Sequence, residues 1–178
     1  VPSLRAKTYN ITKHGKELRL IHPRAFLLCI FIALLTAPGS LLAWEGKVVG
    51  ISDGDTITVL KERQEIKIRL WGIDTPERHQ DFGNRAKKHT SGLAYGKAVE
   101  VRELDKDRYG RTVAIVTLPD GQVLNEALVS AGMAWVYRRY CDRQVCSRWL
   151  ELEAAARGRR IGLWSLPNPV PPWEFRRR

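Results

Sequence analysis

Two carboxylates bracket a glycine in SDGDTITVL, residues Ser52 to Leu60, and the later stretch RLWGIDTPE sets Arg69, Asp74, Thr75 and Glu77 within nine residues. A third stretch, DRYGRT, adds Arg111. Asp55, Asp74 and the nearby Thr75 offer hard oxygen atoms, which suit a cation that tolerates irregular geometry, such as Ca²⁺. Glu77 lies just beyond them and is left over for proton abstraction. Arg69 and Arg111 each carry a fork of N–H groups that matches the paired oxygens of a phosphate, with a charge that persists at any working pH. A phosphodiester anion repels hydroxide, so its hydrolysis needs charge neutralised at phosphorus and a base to make the nucleophile. These residue types meet both needs. Asp-Gly on its own is ordinary turn chemistry, since glycine accepts φ > 0 and aspartate bonds its own backbone.

The elements that must position these groups follow from periodicity. Ile57 and Val59 alternate with Thr56 and Thr58, which predicts a strand over 55–61 and holds Asp55 on rigid backbone. Strands are expected over 45–52 and 64–73 as well, with Ile66, Ile68 and Leu70 on one face, to form an antiparallel meander. Phe82, Ala86, Thr90 and Leu93 then keep helical spacing, Gly96 is a natural stop, and Gly92 weakens the interior. Two more strands are expected over 97–105 and 111–118, joined by KDRYGR, before a Pro-Asp-Gly turn. Helices over 123–131, with Leu124, Ala127 and Leu128 facing in, and over 144–157 would cover the result, with Gly162 to Trp164 as a docking stub. The class is α+β, mostly β: a five-stranded Greek-key barrel of the OB type with about three covering helices.

A chain of 178 residues has room for one compact domain, expected over 44–166, and a little more. The surplus lies at the two ends. Arg19 and Arg24 precede the apolar run from Ala25 to Ala43, broken by Pro38 and Gly39, the pattern of a secretory signal peptide within a leader over 1–43. Its apolar core, Ala25 to Leu35, is short for a membrane span. The alternatives are a buried helix or an uncleaved anchor, and only the last would put the protein on a membrane. Part of the stretch ahead of the run is expected not to be translated, as the one methionine is Met133. Cleavage near Ala43 makes the product secreted or periplasmic. At the other end, the Pro-rich basic tail PNPVPPWEFRRR, residues 167–178, is expected to be extended or disordered.

The whole chain carries a formal charge of +11; without residues 1–43 it keeps 24 Lys/Arg against 18 Asp/Glu. A basic balance favours polyanions such as nucleic acid but equally serves solubility. Two cysteines also remain, Cys141 and Cys146, and in an oxidising compartment their spacing reads as a local disulfide. Two unpaired thiols are the alternative. A metal pair is less favoured, because no other cysteine or nearby histidine completes a four-ligand set.

The ordered set DGDT, IRLWGIDTPE, DRYGRT, LNEALVSAG and GLW, over residues 47–164, resembles the staphylococcal nuclease (thermonuclease) family of calcium-dependent phosphodiesterases on an OB fold. The resemblance implies that Asp55 and Asp74, with the Thr75 backbone carbonyl, hold Ca²⁺. It implies that Glu77 is the general base and that Arg69 and Arg111 clamp the scissile phosphate. In-line attack by water would then cleave DNA or RNA to 3′-phosphates. No stable protein partner is implied, and a monomer is expected.

Other residues keep two readings. Asp53 either orients the cation's water or is a turn residue. Tyr109 is barrel-turn packing or a substrate contact. Tyr137 and Tyr140, among Arg138 and Arg139, suit a base-stacking platform but equally surface aromatics. His79 and His89 read as solvated, and Arg85, Lys87 and Lys88 as an exposed helix face. The whole-chain alternative is an OB-fold module that binds nucleic acid without chemistry, although such a module has no need of Asp55, Asp74, Glu77, Arg69 and Arg111 together.

Overall fold

The computed structural model describes residues 43–141 and 144–177. Three strands run antiparallel in succession: β1 (Ala43–Ile51), β2 (Thr56–Lys61) and β3 (Gln64–Leu70). Two more follow a helix, β5 (Ala98–Lys106) and β6 (Thr112–Thr117), and these also pair antiparallel. β6 then runs parallel to β3 while β5 pairs with β1, which closes a barrel in the order β1-β2-β3-β6-β5. Closure leaves no open sheet edge. The barrel is mostly β with helices over it, consistent with the expected OB fold.

Period-two alternation fills the interior. Val48, Ile57, Val59, Ile68, Leu70, Val99, Val101 and Val116 are all buried in one cluster. Helix α1 (Gly83–Ala94) lies between β3 and β5 in sequence and buries Ala86, Thr90 and Ala94. It ends as expected, with Gly96 at φ +77°. A Cβ on Gly92 would meet nothing, so that glycine leaves no gap in the packing.

Helix α2 (Leu124–Ser130) covers the barrel through Leu124, Ala127 and Leu128, as the pattern predicts, and inserts Asn125. The Asn125 amide donates to the Trp71 and Ala114 carbonyls at 2.9 and 3.3 Å, and its oxygen accepts from the Val116 N–H at 3.1 Å. Helix α3 (Val145–Gly158) packs Trp149 edge-on to Trp71. A disulfide joins Cys141 to Cys146, as expected.

The structure departs from the expected elements in three places. Asp55 is not on the strand: β2 starts at Thr56, and Asp55 ends the turn before it. The third strand stops at Leu70, because Gly72 turns the chain at φ +73°. Ile73–Asp74 then form a separate short strand, β4, paired with β7 (Trp135–Val136). Finally, the tail is neither extended throughout nor disordered. Past a 3₁₀ turn (Gly162–Ser165), Pro172–Phe175 make a short helix, α4, with a proline in its first turn. The leader, with the readings of signal peptide and untranslated stretch, lies outside the described residues except for Ala43. Among the described residues no helix is long and apolar enough to cross a membrane.

Candidate active site

Asp55 is built into the site from both sides, with only 2% of its surface exposed. Its Oδ2 accepts from the Thr75 backbone N–H at 2.6 Å and from the Thr75 hydroxyl at 3.0 Å. Its Oδ1 pairs with the Arg69 guanidinium. Sheet register brings that partner: Thr56 lies opposite Arg69 across β2 and β3, and the Leu70 N–H donates to the Asp55 carbonyl at 2.8 Å. Arg69 also donates through Nη2 to Asp74 Oδ1 at 2.6 Å. One guanidinium therefore joins two buried carboxylates, Asp74 being 1% exposed. Asp74 is held in turn by the pairing of β4 with β7, whose Val136 N–H donates to the buried Glu153 carboxylate at 3.0 Å.

The glycine of DGDT serves a purpose other than the expected φ > 0. Gly54 has no positive φ, but a Cβ there would sit 2.7 Å from Thr75 Oγ1 and 2.9 Å from the Ala86 Cβ. The Thr75 loop and α1 thus press directly on the backbone between the two aspartates, and the Thr90 hydroxyl bonds the Gly54 carbonyl at 2.5 Å. Asp53 accepts from the Asp55 N–H at 3.1 Å, the i to i+2 bond of an aspartate turn.

Glu77 stands in the loop ahead of α1. Its N–H donates to the Gln80 side chain at 3.1 Å, and its carbonyl accepts from the Gln80 N–H at 2.9 Å. A Cβ on Gly83 would run into that same carbonyl, so the helix start packs tightly on the loop. The Glu77 carboxylate itself remains partly exposed. It bonds Arg176, which the sequence left in a featureless tail. Arg176 donates to Asp74 Oδ2 at 2.7 Å and Oδ1 at 3.3 Å, and to Glu77 Oε1 at 2.5 Å. The bonds to Asp74 first, then to Glu77, raise the guanidinium's pKa further above its ordinary value, against the effect of burial.

Arg111 immediately precedes β6 and is aimed by Asp107, a second residue the sequence did not single out. Its Nε and backbone N–H donate to the Asp107 carboxylate at 2.7 and 3.0 Å, and its Nη1 reaches the Thr56 hydroxyl at 3.4 Å. Burial works against a charged Asp107, but the bonds from the Arg111 side chain and backbone and from the Tyr109 N–H outweigh it and lower the carboxyl pKa. An aspartate four residues before the arginine, at the start of DRYGR, was the available signal.

The tyrosines divide. Tyr109, 69% exposed, is flanked by the Arg108 and Arg111 guanidiniums at 4.8 and 5.6 Å from its ring. Tyr140, 54% exposed, lies near Arg139. Tyr137 is different, because Trp173 of α4 lies flat on it, centroids 4.9 Å apart and planes 4° from parallel. Of the histidines read as solvated, His89 is half-buried, and desolvation lowers its pKa.

Asp53, Asp55, Arg69, Asp74, Thr75, Glu77, Arg111 and the three tyrosines all line one cleft of about 980 Å³. Among the described residues no three carboxylate, histidine or cysteine side chains form a metal-holding group. The donor set still fits a hard cation. Asp55 and Asp74 carry charge into a buried place where guanidinium groups balance it. Carboxylate oxygens are the kind of ligand that hard cations take.

Residues 67–166 match the family model described as staphylococcal nuclease homologue. The chain is similar to a micrococcal nuclease of Shigella flexneri, 44% identical over 149 residues that span 78% of this chain and 85% of the relative. It is likewise similar to protein ParB of Escherichia coli, 44% identical over 146 residues, 76% of this chain and 82% of that one. A staphylococcal-like nuclease, CAN1, of Arabidopsis thaliana is 36% identical over 114 residues, which cover 64% of this chain and 34% of the plant protein.

Proposed function

Because the chain belongs to the staphylococcal nuclease family and is a thermonuclease-like hydrolase, we propose that it is a calcium-dependent phosphodiesterase that cleaves DNA or RNA to 3′-phosphate products. The observation that carries this reading is the meeting of Asp55, Asp74, Arg69, Glu77 and Arg111 in a single cleft. Asp55 and Asp74 would hold Ca²⁺ together with the Thr75 carbonyl. Bound there, the ion supplies positive charge beside the phosphate. Glu77 takes a proton from the attacking water, which forms the new P–O bond. The P–O5′ bond breaks in line with it, and the departing oxygen takes a proton from solvent water and leaves as a 5′-hydroxyl. Arg69 and Arg111 stabilise the phosphate oxygens as negative charge grows on them, the term that commonly dominates such catalysis. Each arginine has five N–H donors, more than its carboxylate partners engage. Tyr109 and Tyr140, exposed at the rim, suit stacking against bases.

The Glu77→Gln variant tests the reading. It keeps size and hydrogen-bonding shape but removes the basic carboxylate, so kcat should fall on the order of 10²-fold or more. Ca²⁺-dependent binding of an oligonucleotide should survive in the folded variant. Cleavage near the parental rate would remove Glu77 from the mechanism. If the unaltered protein binds the oligonucleotide in Ca²⁺ but never cleaves it, the fold serves as a binding module.

A further inference from the structure

The C-terminal segment reaches the two halves of the proposed site at once. Trp173 covers the Tyr137 ring and approaches Trp135 edge-on at 6.0 Å. The Val170 carbonyl accepts from the Gln80 side chain at 2.6 Å, which ties the segment to the loop that carries Glu77. At its end Arg176 takes both oxygens of Asp74 and one oxygen of Glu77. Asp74 Oδ1 is shared with Arg69, while Oδ2 is bonded by Arg176. A cation that used Asp74 would have to take an oxygen from a guanidinium and then tolerate that guanidinium's charge a few ångströms away. Like charges so close repel strongly where burial weakens solvent screening.

We propose that Arg176 stands in the cation's place on Asp74, so that Ca²⁺ and the Arg176 guanidinium compete for that carboxylate and the C-terminal segment sets the cation concentration at which the site fills. The inference rests on the proposed assignment of Asp74 as a cation ligand. Its chemistry is exchange of one positive partner for another, with no covalent step. Arg176 is suited to the task because it is held by packing upstream. The Trp173 stack and the Gln80 bond keep it close after release, so the displaced group can return.

Calorimetric titration of CaCl₂ into the full chain tests this without reference to catalysis. Arg176→Gln removes the competing charge at an exposed end of the fold and should bind Ca²⁺ about tenfold more tightly than the parent. Arg176→Lys keeps a charge but loses the fork, and should fall between the two. Asp74→Asn should weaken Ca²⁺ binding at least tenfold, by loss of a ligand. Equal or weaker binding by Arg176→Gln, with Asp74→Asn impaired, would overturn the competition alone. Unchanged binding by Asp74→Asn would overturn the ligand assignment and the competition with it.

Discussion

Asp107 fixes the direction in which Arg111 points, and the energetics of that pair have a definite pH signature. The folded-state pKa of Asp107 lies below its ordinary value of 3.8. The unfolded chain therefore binds the proton first as pH falls. The stabilisation is complete above about pH 4 and is lost as pH drops through the lowered folded value. An NMR titration should place the Asp107 midpoint below 3.8, and Asp107→Asn should make the protein less sensitive to acid in that window. The same variant should lower kcat/KM on the order of tenfold, because Arg111 loses a charge-assisted bond that aims it. A midpoint at or above the ordinary value, with unchanged kcat/KM, would mean that the pair does not orient the arginine. At this scale the lining of the cleft was legible in the sequence, since Asp55, Asp74, Thr75, Glu77, Arg69 and Arg111 fall in short stretches that the fold brings together. The reason for Gly54 was not, because the close approach of Thr75 and Ala86 belongs to tertiary packing.

Elements carry the precision of the site. The register of β2 against β3 delivers Arg69 to Asp55, and the two-residue pairing of β4 with β7 holds Asp74. α3 underwrites that pairing from below, since Glu153 accepts from the Val136 N–H and is itself 3.8 Å from Arg157. Glu153→Ala leaves that N–H buried without its acceptor, a loss of about 1–3 kcal/mol in a denaturant titration. It should also weaken Ca²⁺ binding, as β7 loosens against Asp74. Full stability with undiminished Ca²⁺ affinity would show that α3 does not position Asp74. Periodicity predicted the five barrel strands and the covering helices, because one face of each is apolar. It did not predict β4 or β7, which are too short to have a period, and it ran the third strand past the Gly72 turn. It also carried the second strand back onto Asp55, where the aspartate turn made by Asp53 comes first.

For the whole molecule, barrel closure and family membership were legible, and the contribution of the tail was not. Arg176 lies 102 residues from Asp74 and 99 from Glu77, in a proline-rich basic stretch whose composition suits an exposed strap. The docking of Trp173 against Tyr137 and Trp135, with the Gln80 bond to the Val170 carbonyl, brings it to the cleft. The Cys141–Cys146 disulfide was readable because the two cysteines are only five positions apart in the sequence.

The proposed site has two carboxylates and a carbonyl holding an irregular oxygen shell for a phosphodiesterase. Cleavage of single- and double-stranded DNA and RNA by the purified protein in Ca²⁺, in Mg²⁺ and in chelator tests it most directly, with the product ends determined. Ca²⁺ should support the fastest cleavage with 3′-phosphate ends, Mg²⁺ should serve poorly because it demands near-octahedral geometry and parts with water reluctantly, and chelator should abolish activity. Undiminished cleavage in chelator, or Mg²⁺ alone matching Ca²⁺, would contradict the proposed shell.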